Sequence, residues 1–249
     1  AIRIRDLGSR VVMPISIGRR PASCNARHGK IAKAMLSVFD QGPPPPCPSL
    51  FNLAAFVLRH AKDLPDKVAL SILKPASSDD WTYAQIERAV RGTGTGLLQA
   101  GLEPGQILLM RLGNTGDFPI AYLGAIAAGL IPVPTSSQLT ALETAKMIAE
   151  LSPAAILRDP AVACADHPVQ IDLSALEAMR DLPPCDWAMG DPNRMAYVVY
   201  TSGTSGNPRA VAHAHRAIWA RQMMVDGWYA LTSQDRLCHA GAFNWTYTL

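Results

Sequence analysis

The nine residues TSGTSGNPR, 201–209, concentrate phosphate-binding chemistry in one short segment. Gly203 and Gly206 allow the backbone to turn successive N–H groups toward one point, forming a concavity for an anion. Thr201, Ser202, Thr204 and Ser205 add hydroxyl donors, and Arg209 adds a permanent charge whose planar fork suits phosphate oxygens. Each charge-assisted bond to phosphate is worth about 1.5–3 kcal/mol. Two better-known loops are excluded by spacing. A Walker loop, G-x-x-x-x-G-K-[ST], needs a glycine five residues after Gly203, where Pro208 stands. A nucleophile elbow, G-x-S-x-G, needs glycines two residues to either side of a serine, and neither Ser202 nor Ser205 has both. Composition alone leaves two readings open, a surface turn and a phosphate loop.

Other candidates carry less. GTGTG at 92–96 lacks the glycine at position 97 that a dinucleotide fingerprint requires, and it falls inside a helical pattern, so close helix packing is the expectation. His213 and His215 would share one face of a strand, but no third metal ligand lies near them in sequence. The five cysteines are scattered without a C-x-x-C, which argues for reduced thiols and a cytoplasmic setting over disulfides or zinc.

The elements that must position the loop can be read from periodicity. LFNLAAFVLRHA spaces Leu50, Leu53, Ala54, Val57 and Leu58 as one helical face. KVALSIL (67–73), QILLMRL (106–112), AAIL (154–157) and MAYVVY (195–200) read as strands. Thr82 with Gln85, and Thr140 with Glu143, form capping boxes that start helices. The first of these turns Ile86, Ala89 and Val90 inward. A helix from about Asp117 ends at Gly129 before an extended IPVP, and LSALEAMR (173–180) is a further short helix. Strands alternating with helices predict an α/β domain with a largely parallel sheet.

A 49% hydrophobic composition over 249 residues supplies a core for one or two domains, and a net charge of +3 without a basic stripe argues against nucleic acid. IAYLGAIAAGLI (120–131), the longest apolar run, is too short to span a bilayer. Residues 1–34 carry six arginines and two lysines against Asp6 alone. They read either as an Arg-rich targeting segment or as sequence outside the natural domain, with Met35 as its start. We adopt the second reading and expect no ordered domain there. The domain proper is expected over 35–249.

Three segments in order resemble signatures of the adenylate-forming (AMP-binding) enzymes. YVVYTSGTSGNPRAV is similar to the family's Y-T-S-G-T-T-G-x-P-K-G-V, WTYAQIERAV to its L-T-Y-x-E-L helix start, and LGAIAAGLIPVPTS to its L-K-A-G-x-x-x-V-P segment. The resemblance implies the N-terminal part of the large adenylation domain, truncated before the C-terminal domain. It also implies acid activation: a carboxylate attacks the α-phosphate of Mg-ATP, and the acyl-adenylate then passes its acyl group to a thiol, usually coenzyme A. By position, Thr201, Ser202, Gly203, Thr204, Ser205, Gly206, Asn207, Pro208 and Arg209 would cradle the ATP phosphates, with Thr201 or Thr204 near magnesium. Arg209 stands where the family usually has lysine and Ala210 where it usually has glycine, which leaves the mobility of the loop open. LCHAGAFNWTYTL (237–249) resembles the segment that forms a wall of the acyl pocket, with His239, Phe243, Asn244 and Trp245 as candidates. The resemblance leans toward medium-chain or aryl acyl-CoA synthetases. The alternatives are a non-catalytic nucleotide-binding homologue and an adenylation module that loads a carrier protein. The family's catalytic lysine, adenine site and ribose-binding aspartate are expected beyond Leu249. The chain alone is therefore expected to be inactive and poorly soluble, and its oligomeric state is open.

Overall fold

The structure is a computed structural model that describes residues 11–13, 37–39, 45–201, 208–227, 229–239 and 241–244. The chain divides into two units, Ala1–Pro46 and Cys47–Leu249. In the first, β1 (Val11–Met13) pairs antiparallel with β2 (Ser37–Phe39), so the ladder joins residues on both sides of Met35.

The second unit opens with α1 (Leu53–Val57), β3 (Val68–Leu73), β4 (Ser78–Thr82) and α2 (Tyr83–Gln99). It continues with β5 (Ile107–Arg111), α3 (Asp117–Ala127), β6 (Ile131–Pro134), α4 (Ala141–Leu151) and β7 (Ala155–Arg158). β8 (Gln170–Asp172), α5 (Leu173–Met179), β9 (Met195–Thr201), β10 (Arg209–Ala214) and α6 (Ala217–Gly227) complete it. The central sheet has the order β6-β5-β7-β8 and is parallel throughout, as the alternation of strands and helices predicts. β3 with β4 and β9 with β10 form separate antiparallel pairs, and β9 runs beside β6.

Local signals set most boundaries. Thr82 and Thr140 each accept the N–H three residues on, and Gln85 and Glu143 return the bond to the cap backbone. Gly129 ends α3 at φ +82°, a conformation that costs glycine little. Ile86, Ala89 and Val90 are buried as expected, but Leu50 is exposed: α1 is only five residues long and starts at Leu53, so Leu50 lies outside its face.

The glycines of 92–96 serve packing. A Cβ on Gly94 would lie 3.2 Å from Gly124 O, and one on Gly124 would lie 2.9 Å from Val90 O. Helices α2 and α3 therefore meet backbone to backbone, closer than any side chain allows. Their apolar faces form the main core with Leu108, Met110 and Leu157 of the sheet. On the other face, Leu109, Val133 and Ile156 pack against Val198 of β9. No helix among the described residues is long and apolar enough to cross a membrane.

Candidate functional site

The phosphate-loop candidates at the described positions, Thr201, Pro208 and Arg209, lie at the end of the β9–β10 pair where the chain passes from one strand to the other. Met195 to Tyr200 is an apolar strand buried over Ala196–Val199, which fixes the hairpin against the core and leaves its last residue, Thr201, exposed. Thr201 and Arg209 are register partners across the ladder, so the two ends of the loop are held as a cross-strand pair. Ser202, Gly203, Thr204, Ser205, Gly206 and Asn207 lie outside the described residues; Pro208 and Arg209 are exposed.

Three side chains brace this hairpin. The Tyr200 hydroxyl donates to Glu150 Oε2 of α4 at 2.7 Å, one residue before the loop. Burial, and then that bond to Glu150, push the Tyr200 phenol above its usual range, so it stays a neutral donor. Tyr197 packs edge-on against Tyr122 of α3 at 5.6 Å, and its other side stacks on His213 at 4.7 Å and 3°. The loop thus extends from a strand pair tied to both α3 and α4.

The histidine pair does not form a metal site. The ladder shifts register between His213 and Ala214, and His215 falls beyond the strand. His215 is buried, and its Nδ1 accepts the Leu53 N–H at 3.0 Å. No group of three or more His, Cys, Asp or Glu side chains among the described residues could hold a metal ion.

A second constellation lies past the carboxyl ends of β5 and β6. Leu112, Gly113, Asn114, Phe118 and Ser137 line a narrow cleft there with Ala242, Phe243 and Asn244. Phe243 N–H donates to Asn114 Oδ1 at 2.9 Å, and its ring stacks on Phe118 at 5.9 Å and 18°. Two of the acyl-pocket candidates, Phe243 and Asn244, are thereby brought together. His239 is exposed and lies against Gly241, not in the cleft, and Trp245 lies outside the described residues. A larger open cleft of about 340 Å³, lined by Trp81, Gln85, Arg88, Ala89, Glu177, Arg180 and Asp181, contains none of the candidates.

Arg111 anchors the loops beside this cleft and was not singled out by motif. It ends β5 fully buried, and its Nε donates to Ala163 O at 3.0 Å. Its Nη1 donates to Thr135 Oγ1 at 2.9 Å and to Ser136 O, and its Nη2 to Leu139 O at 3.1 Å and to Ala163 O. Desolvation lowers its pKa, opposed by the nearby Cys164 and Glu143. The one visible signal is an arginine in the otherwise apolar run ILLMRL, 107–112. Asn114, Phe118 and Ser137 gave no signal at all, because their partners lie far away in sequence.

The profile of the AMP-binding enzymes matches residues 57–249. The chain belongs to the AMP-binding enzyme family. It is 30% identical over 169 residues to 4-chlorobenzoate–CoA ligase of an Arthrobacter species, which covers 63% of the chain and 32% of that protein. It is 29% identical over 174 residues to phenyloxazoline synthase MbtB of Mycobacterium tuberculosis, covering 68% of the chain and 12% of the synthase. Among solved structures, apo MatB of Rhodopseudomonas palustris superposes with a TM-score of 0.65 at 20% identity, over 79% of the chain and 41% of MatB. An ATP-bound MatB superposes at 0.63 with 19% identity, over 80% of the chain and 42% of MatB. The chain thus spans under half the length of these relatives, and its fold is that of the N-terminal part of the adenylation domain.

Proposed function

We propose that the chain supplies the phosphate-holding part of an enzyme that activates a carboxylic acid with ATP and then transfers the acyl group to coenzyme A. The carrying observation is the hairpin. Register pairing of Thr201 with Arg209 sets a fixed cation at the mouth of a loop of hydroxyls and glycines. Such a loop binds the β- and γ-phosphates and spreads the charge that develops on departing pyrophosphate. The Arg209 fork binds two oxygens at once, where a lysine would offer a single point charge. Residues 202–207 would supply the remaining N–H and O–H donors.

Magnesium fits this donor set. The ion keeps most of its ligands from phosphate and water, so it needs few protein groups, and hydroxyl oxygen suits a hard cation. Thr201 is exposed at the strand end and would hold it together with Thr204. When bound, magnesium would neutralise phosphate charge. The chain's own part is to orient the phosphates and exclude competing geometries.

The chain spans 41% of MatB, and the role proposed for residues 1–249 is to hold the phosphates of Mg-ATP, with weak binding and no turnover by these residues alone. In the natural protein that carries this sequence, carboxylic acids of aryl or medium-chain type should drive ATP–pyrophosphate exchange. Arg209→Ala should lower kcat/KM for ATP at least about tenfold. Absence of exchange with aryl, aliphatic and amino acids alike would overturn the proposal. The similarity to phenyloxazoline synthase supports a second reading, in which the acceptor is a carrier-protein thiol. Acyl transfer from the adenylate to free coenzyme A, or only to a carrier domain, separates the two.

A further inference from the structure

We infer that Glu150, acting through Tyr200, is a positioning residue for ATP: the bond between them fixes the ladder pair of Thr201 with Arg209, where the proposed phosphate site begins. This role rests on the phosphate-holding reading above. Tyr200 stands one residue before that pair, and its hydroxyl donates to Glu150 Oε2 at 2.7 Å, across 50 residues of chain. Alternation along β9 divides its side chains between two faces. Val198 and Tyr200 pack on one face with Ile148 and Leu151 of α4, while Tyr197 and Val199 join the main core on the other. Ala210, the register partner of Tyr200, packs against the α4 side as well. Thr201 and Arg209 therefore fall on the face opposite Tyr200. The end of the strand pair is tied down from the side away from the proposed ligand.

The need for such a tie follows from the topology. Among the described residues β9 has one hydrogen-bonded neighbour, β10, and two-stranded ribbons twist more than wider sheets do. Apolar packing holds the pair to α4 but is non-directional, so it leaves that twist unset. A hydrogen bond has a preferred length and angle, and a carboxylate acceptor makes it one of the stronger kind. Burial, and then the bond to Glu150, keep the phenol protonated, so it remains a donor at neutral pH. With the twist set, the Arg209 fork and the Thr201 hydroxyl meet the phosphates in one orientation. Without it, ATP must order the strand ends as it binds, and affinity falls by that cost. Neither Glu150 nor Tyr200 faces the phosphates. Both act through the ladder.

The test uses the natural protein carrying this sequence. It measures ATP–pyrophosphate exchange with benzoate, hexanoate and the proteinogenic amino acids offered in turn, and Mg-ATP binding by calorimetry. Tyr200→Phe keeps the packed ring and removes the donor, while Glu150→Leu removes the acceptor. Each should raise KM for ATP about fivefold, and the double variant no further, with KM for the acid unchanged. Glu150→Gln keeps an acceptor oxygen without the charge and should recover most of the loss. If Tyr200→Phe stays within about twofold of wild type, or if the two single effects multiply in the double variant, the positioning role is wrong. A joint rise in KM for ATP and for acid would overturn it too, since that is the mark of a general loss of structure. If Glu150→Gln behaves as Glu150→Leu does, charge and not the bond is at work, and the role is again wrong. If no acid supports exchange, the acid-activating reading fails on its own account. The Mg-ATP dissociation constant then decides: a rise of about fivefold in Tyr200→Phe supports the tie, and an unchanged value or no binding by wild type overturns it.

Discussion

At the residue scale, Arg111 presents the sharpest contrast between sequence and role. A fully buried guanidinium is costly unless each of its N–H groups finds an acceptor. Here five donations go to four groups, on Thr135, Ser136, Leu139 and Ala163. The charge is thereby spread over oxygen dipoles from the segments after β6 and β7. Arg111→Met should leave those carbonyls without their donors in a dry site, while the Thr135 hydroxyl keeps its own donation to Met110 O. We expect a loss of about 3 kcal/mol or more, which lowers the thermal midpoint by about 6–12 °C. Arg111→Lys keeps the charge but cannot reach all four groups, and should fall between the two. A midpoint for Arg111→Met within 2 °C of wild type, by circular dichroism, would show that the loops hold without the clamp. Residue type alone could not have revealed this, since the acceptors lie up to 52 residues away and three of them are backbone. By contrast Thr82 and Thr140 announced themselves, because each capping box is complete within four consecutive residues.

At the element scale, the pairing of α2 with α3 decides how the sheet's upper face is covered. Gly94 and Gly124 let the helices touch, and a methyl on Gly124 would come within 2.9 Å of both Val90 O and the Thr93 side chain. Backbone cannot yield as a flexible side chain does. Gly124→Ala should therefore cost about 1–3 kcal/mol in urea unfolding, although alanine is the better helix former. Thr93 in the same contact makes the opposite prediction. Its buried Oγ1 has no hydrogen-bond partner among the described residues, so Thr93→Val replaces a stranded hydroxyl by a methyl. Stability should rise by about 1 kcal/mol. A drop would mean that a bridging water satisfies the hydroxyl. The helical placement of Gly94 was legible from the capping box at Thr82 that starts its helix. Its partner helix was not, because a glycine carries no side-chain signal of what it meets. The same limit hid β10 and α6, whose short mixed sequences lack a clear period.

Across the whole second unit, the segment Phe51–Leu53 ties distant parts of the chain together. Asn52 Nδ2 donates to Ile126 O and to Ala188 O, both at 2.9 Å, while its Oδ1 caps α1. Arg194 donates to Phe51 O at 2.7 Å, and His215 accepts from Leu53 N–H across 162 residues. That last bond requires a neutral imidazole, and its environment enforces neutrality. Desolvation, and then the charge of Arg194, lower the His215 pKa from 6.5 to about 4. The unfolded chain therefore binds this proton more readily than the folded one. Stability from His215 is complete above about pH 6.5, declines as pH falls toward about 4, and changes no further below that. The span corresponds to at most about 3 kcal/mol. Asp172, Glu143 and Asp235 are held below their ordinary values chiefly by hydrogen bonds at caps and turns, so they withdraw their contributions only at more acidic pH. His215→Asn supplies an acceptor oxygen without a titrating ring, so it separates the histidine from the carboxylates. Unfolding midpoints measured from pH 7 to 4.5 should fall steeply for wild type and much less for His215→Asn. Parallel curves would mean that protonation of His215 is tolerated, and that the Leu53 bond is not what couples the start of α1 to the end of β10.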